Sequence, residues 1–196
     1  MQGALEAEPV VGFPITNVAI SIPERFEQIA RCYGDRIAIR TRDRLITYEA
    51  LNTSANRIGQ AILEQLGSGS EPITLLFGNG IDLISALLGV LKAGKFFVAI
   101  DPSFPSSRIN FILKDTETRL LVTNTENTEL SKGFGAPDVA RMNIDDLKNG
   151  QLDTNLGVEI RPDDIATIVY TSGSTGEPKG VIKTHGYCWE RAKFNI

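Results

Sequence analysis

The sequence predicts an α/β protein built on a doubly wound parallel sheet flanked by helices. Two observations carry this. Four short runs are continuously apolar, at 73–77, 96–100, 120–122 and 165–170, as expected of strands buried on both faces. Between the first three lie 82–92, apolar almost all round, and 105–114, where Ile109, Ile112 and Leu113 share one helical face. Strands that alternate with helices form parallel sheets, and right-handed crossovers then place helices on both sides.

Taken in order, the first ordered unit begins at Ser21-Ile22-Pro23-Glu24, where a capping Ser, an early Pro and a first-turn Glu mark a helix start. Phe26, Ile29 and Ala30 continue that helix and Gly34 stops it. Residues 1–20 then form an N-terminal extension, and 21–196 the folded portion. Alternation over 36–40 and the run Leu45-Ile46-Thr47 predict a hairpin. The helix over 47–66 has Tyr48, Leu51, Ala55, Ile58, Ile62 and Leu66 on one face, with Gly67 to end it. From 124 to 164 the pattern weakens into polar loop and short elements. After the strand at 165–170 and a loop, 181–185 extends the chain into a terminal helix over 185–196.

Composition narrows the functional classes. The 196 residues carry 20 Lys+Arg against 24 Asp+Glu, a net charge of −4, which gives no basic face for nucleic acid. No polybasic segment reads an anionic membrane, and the run at 73–93 is broken by Asn79, Asp82 and glycines, so it does not predict a membrane span. Cys32, Cys188 and the single His185 cannot assemble a zinc site by themselves. So few cysteines, and an N-terminus without a basic-then-apolar leader, predict a cytoplasmic protein.

Chemistry concentrates directly after the strand at 165–170. Thr171-Ser172-Gly173-Ser174-Thr175-Gly176-Glu177-Pro178-Lys179-Gly180 holds three glycines, four hydroxyls and one lysine. Glycine lets backbone N–H groups approach a ligand, successive N–H groups make an anion nest, and hydroxyls and a lysine add donors and charge. A polyphosphate fits this set; a flexible surface loop of the same composition is the alternative. Position favours the first, since ligands of such sheets bind outside the carboxyl ends of strands. It is not a Walker loop, because Pro178 precedes Lys179 and Gly180 follows it. Nor is Gly78-Asn79-Gly80, followed by Ile81-Asp82-Leu83, a dinucleotide fingerprint.

The segment from Tyr170 through that loop to Val181, with His185 four residues on, resembles the signature of the adenylate-forming superfamily. That superfamily includes acyl-CoA synthetases, luciferases and the adenylation domains of non-ribosomal peptide synthetases. Ile46-Thr47-Tyr48-Glu49-Ala50-Leu51 is similar to the family's early L-T-Y-x-E-L motif. Leu91-Lys92-Ala93-Gly94-Lys95-Phe96-Phe97-Val98-Ala99-Ile100-Asp101-Pro102 is similar to its L-K-A-G-x-x-Y-V-P-[IL]-D-P block. Ser174 and this block resemble peptide-synthetase domains more than acyl-CoA synthetases; Ala50, Phe97 and Ala99 depart from the pattern.

The resemblance implies a fold, the N-terminal portion of the family's large subdomain, and a reaction. A carboxylate, here an amino acid, is activated by Mg-ATP as an acyl-adenylate and passed to a carrier-protein phosphopantetheine thiol. It implies that Thr171, Ser172, Ser174, Thr175 and the loop amides, including those of Gly173 and Gly176, clamp ATP phosphates, with Lys179 adding charge. The family's catalytic lysine and its ribose, adenine and acyl sites have no counterpart here. The chain alone is therefore expected to be inactive, with no catalytic residue of its own. An acyl-CoA synthetase fragment, or a truncated domain that binds only nucleotide or a protein partner, are the alternatives. Outside the loop, His185 reads as a loop-anchoring or core residue in preference to a general base. Lys92 reads as a helix-end cation with a solvated head, Asp101-Pro102 as a turn, and Phe96-Phe97 as core.

Overall fold

The computed structural model describes residues 20–135, 137–147, 154–172 and 178–192. Its first element, α1 (Ile22–Cys32), starts where Ser21 Oγ accepts the Glu24 N–H at 3.3 Å. Strands β1 (Ile37–Arg40) and β2 (Leu45–Thr47) form the antiparallel hairpin that the alternation predicts. Thr47 then caps α2 (Tyr48–Leu66) by accepting the Ala50 N–H at 3.2 Å. Gly67, at φ 71°, ends that helix in a conformation that favours glycine.

The main sheet has six strands. In chain order they are β3 (Pro72–Leu76), β4 (Phe96–Ile100), β5 (Leu120–Thr123), β6 (Ala140–Asn143), β7 (Ile165–Ser172) and β8 (Pro178–Thr184). Their spatial order is β6-β5-β3-β4-β7-β8. All neighbours are parallel except β7 and β8, which pair antiparallel at one edge. The helices between are α3 (Ile81–Lys92), α4 (Ser106–Asp115) and α5 (Thr125–Ser131); α6 (His185–Ala192) follows β8. The doubly wound architecture predicted from the sequence is what the chain adopts. On one face α2 and α3 pack Ile58, Ile62 and Val90 against Ile73, Leu75 and Val122. On the other, Ile109, Ile112 and Leu113 of α4 pack against Val98, Ile100 and Leu121.

Two segments go beyond the expectation. The polar stretch at 124–164 contains α5 and a full sheet strand, β6. Arg141 sits in that strand because its guanidinium donates to the carbonyls of Ser131, Phe134 and Val139 at 3.1, 2.6 and 2.9 Å. Three local acceptors satisfy a charge that alternation alone would place outside. The second departure is β8: Pro178, Lys179 and Gly180 belong to a strand rather than to the preceding loop.

Helices α2 and α3 approach through two glycines. A Cβ built on Gly89 would lie 2.8 Å from Ile58 Cβ and 2.9 Å from the Ala55 carbonyl oxygen. Gly89→Ala is therefore expected to destabilise the chain by about 1–3 kcal/mol through overpacking, although alanine is intrinsically the better helix former by about 1 kcal/mol. The urea midpoint measures it, and an increase would mean that the two helices can separate without cost.

Candidate functional site

The β7–β8 hairpin places the hydroxyl- and glycine-rich segment. Strand β7 runs parallel to β4, with Phe97 opposite Thr167, and the Thr167 hydroxyl donates to the Phe97 carbonyl at 2.9 Å. The far end of β7 is thus at the carboxyl edge of the parallel sheet, where ligands of such sheets bind. Thr171 pairs with Lys179, and Ser172 with Pro178, so residues 173–177 connect the two strands. Directly opposed residues project to the same face. Thr171 and Lys179 therefore stand side by side, both exposed. Of the predicted site residues, the structure brings Thr171, Ser172 and Lys179 together at the paired ends of β7 and β8. Gly173, Ser174, Thr175 and Gly176 lie outside the described residues.

The hairpin's other face looks toward α4. There Tyr170 donates its hydroxyl proton to Asp115 Oδ2 at 2.5 Å. Burial raises the Tyr170 pKa well above its ordinary value, and the adjoining Asp115 carboxylate raises it further. Neither Tyr170 nor Asp115 stood out as a partner in the sequence, since 55 residues separate them.

His185 is a core anchor, as expected in preference to a base. It is 1% exposed, its Nδ1 accepts the Ile22 N–H at 3.3 Å, and its own N–H donates to the Asp164 carbonyl. An imidazolium could not accept that bond. Burial lowers its pKa to about 4, with Asp164 partly opposing. The unfolded chain takes up this proton near pH 6.5. Stability should therefore be complete above about pH 6.5 and fall as the pH drops from there toward 4, by up to roughly 3 kcal/mol. Urea midpoints at pH 7.5 and 5 measure the slope; His185→Asn, which keeps an acceptor but cannot titrate, should flatten it. An unchanged slope in that variant would assign the acid sensitivity elsewhere.

Lys92 corrects the sequence reading. Its side chain is 1% exposed, not solvated at a helix end. The ammonium is paired with Glu27 of α1 and donates to Asn155 Oδ1 at 3.2 Å. Burial lowers its pKa, which Glu27 opposes. Asp101 does make the expected turn, accepting the Ser103 N–H at 2.8 Å. Phe96 is buried and Phe97 half-buried on the sheet, as read.

A second cleft of about 290 Å³ opens at the carboxyl ends of β3 and β5, beside Gly78, Asn79 and Gly80. Of the carboxylates that line it, Asp82 is engaged by Arg44 at 3.0 Å and Asn124 at 3.2 Å. Among the described residues no three His, Cys, Asp or Glu side chains gather to hold a metal. Hydroxyls, backbone amides and one lysine are a donor set that suits phosphate oxygens. No described helix is long and apolar enough to cross a membrane.

A Gly/Ser/Thr-rich sequence after the last parallel strand of a doubly wound sheet, with a lysine on the returning strand, matches the signature that the adenylate-forming class carries. Comparison with known proteins agrees: the chain belongs to the AMP-binding enzyme family, whose model matches residues 26–194. Polyketide synthase PksN of Bacillus subtilis strain 168 is 34% identical over 176 residues, 87% of this chain and 3% of that protein. Tyrocidine synthase 1 of Brevibacillus parabrevis is 33% identical over 165 residues, 84% of this chain and 15% of that one. The non-ribosomal peptide synthetase FmoA3 in its AMPPNP-bound form superposes with a TM-score of 0.80 at 25% identity, over 93% of this chain and 19% of its own. The chain thus spans a small part of the length of each of these relatives.

Proposed function

We propose that the chain is the ATP-phosphate-binding, N-terminal portion of an adenylation domain that activates an amino acid. The observation that carries this is the β7–β8 pairing: Thr171 and Lys179 lie on one exposed face at the carboxyl edge of the sheet, and the sequence that links the two strands is rich in glycine and hydroxyls. In the reaction an amino-acid carboxylate oxygen attacks the α-phosphorus of ATP, the bond to the β-phosphate oxygen breaks, and pyrophosphate leaves with its magnesium. The aminoacyl-adenylate then passes its acyl group to a carrier-protein phosphopantetheine thiol and releases AMP. Catalysis of such a displacement is mainly positioning and charge stabilisation. The parts assigned to this chain are the hydroxyls of Thr171, Ser172, Ser174 and Thr175, the amides of Gly173 and Gly176, and the Lys179 charge.

The peptide-synthetase relatives support the amino-acid substrate and the carrier thiol, and AMPPNP on FmoA3 supports ATP. The adenylation portion is assigned from residue 21, where Ser21 caps α1, with 1–20 as an extension. The assigned compartment is the cytoplasm, where ATP and reduced thiols coexist.

If the chain supplies only the phosphate site, ATP and pyrophosphate should both bind in the presence of magnesium, and adenosine should not. ATP–pyrophosphate exchange should stay at background with every common amino acid. Calorimetric titration of the three ligands decides. Binding of adenosine as tight as ATP, or of neither ATP nor pyrophosphate, would overturn the assignment; exchange above background would show that the chain holds a complete site.

A further inference from the structure

We propose that Asp115 and Tyr170 are positioning residues that fix the paired ends of β7 and β8, at Ser172 and Pro178, relative to α4. The purpose of the device rests on the phosphate-binding reading above; its geometry does not. Tyr170 stands two residues before the end of β7, on the face opposite to Thr171 and Lys179, because side chains alternate along a strand. With Ile168 it packs against the cluster that α4 forms on that face. Its hydroxyl reaches Asp115, the last residue of α4.

The ring also crosses to the returning strand. Gly180 is its direct partner on β8. A Cβ built there would lie 3.3 Å from Tyr170 Cζ, 3.4 Å from its hydroxyl oxygen and 3.0 Å from Ile168 Cγ2. Glycine at 180 leaves the space that the ring occupies, and a side chain there would push the ring and hydroxyl off Asp115. Helix α4, Asp115, Tyr170 and Gly180 therefore form one continuous tie from the helix layer across both strands of the hairpin. One face of the hairpin is held, and the other is left open with Thr171 and Lys179.

The tie lies at the surface, since Asp115 is exposed. Its loss should loosen the hairpin tip without unfolding the core. Tyr170→Phe keeps the ring over Gly180 and removes only the donor. Asp115→Ala removes the acceptor, and Asp115→Glu keeps one. Pyrophosphate with magnesium, titrated calorimetrically into the chain, should bind about three- to tenfold more weakly to Tyr170→Phe and Asp115→Ala, the scale of one ordinary intramolecular hydrogen bond. Backbone amides of Lys179 and Val181 should exchange faster in both, with the urea midpoint unchanged, and Asp115→Glu should restore affinity and protection.

Unchanged exchange in Tyr170→Phe and Asp115→Ala would overturn the proposal. So would losses that track a fall in the urea midpoint, which would make the contact a general stabiliser. If the wild-type chain does not bind pyrophosphate, the phosphate reading fails, and exchange alone judges the tie. Faster exchange in the two variants then upholds the positioning of the β7 and β8 ends, and unchanged exchange overturns it.

Discussion

Lys179→Ala is expected to lower ATP–pyrophosphate exchange by roughly 10–1,000-fold, the size of one lost electrostatic donor. The measurement is made in a polypeptide that joins this chain to the remainder of an adenylation domain. Lys179 is the second residue of the returning strand, beside Thr171 on the open face of the hairpin. Negative charge accumulates on pyrophosphate as its bond to the α-phosphorus breaks, so a cation there stabilises the transition state more than the bound substrate. Only such differential binding accelerates the chemical step. Turnover should fall while the Michaelis constant for the amino acid stays nearly constant. Activity within a factor of two of wild type would remove Lys179 from the phosphate site.

The largest expected change in stability lies away from the site. Glu27→Ala should destabilise the chain by about 2–4 kcal/mol, because removing one partner of a buried ion pair strands the other charge. Lys92 carries its ammonium in a seam between α1, α3 and Asn155, with 1% of its side chain exposed. Glu27 is the partly exposed member, at 22%, which places the loss below that of a fully buried pair. Lys92→Met, added to Glu27→Ala, should recover at least half of the loss, since an apolar chain of similar length needs no partner there. Urea midpoints of the single and double variants measure this. If the double variant is no more stable than Glu27→Ala, the stranded charge is not the cause.

Most of the sheet was legible because apolar runs in parallel strands are local signals. The expected 73–77, 96–100, 120–122 and 165–170 lie within a residue or two of β3, β4, β5 and β7. What escaped depended on partners distant in sequence. Strand β6 was hidden by Arg141, whose charge is absorbed by three carbonyls that composition cannot reveal. Lys92 sits at a helix end, where a cation ordinarily faces water, yet Glu27 from another helix draws it inward. Strand β8 reads as loop because it opens with Pro178-Lys179-Gly180, and only the Tyr170 ring across Gly180 explains why glycine suits a strand there.

The candidate site was legible as chemistry but not as geometry. Hydroxyls, glycines and a lysine announce anion binding from composition and from their place after a strand. That Thr171 and Lys179 are cross-strand neighbours follows from the antiparallel return, which the sequence does not mark.

The most direct test of the phosphate-binding assignment is to titrate magnesium pyrophosphate into the isotopically labelled chain and map the backbone amide shifts. Shifts centred on 171–180, and lost in Lys179→Ala, are the expected result. Shifts centred instead on Gly78, Asn79 and Gly80, or a map unaffected by Lys179→Ala, would contradict it.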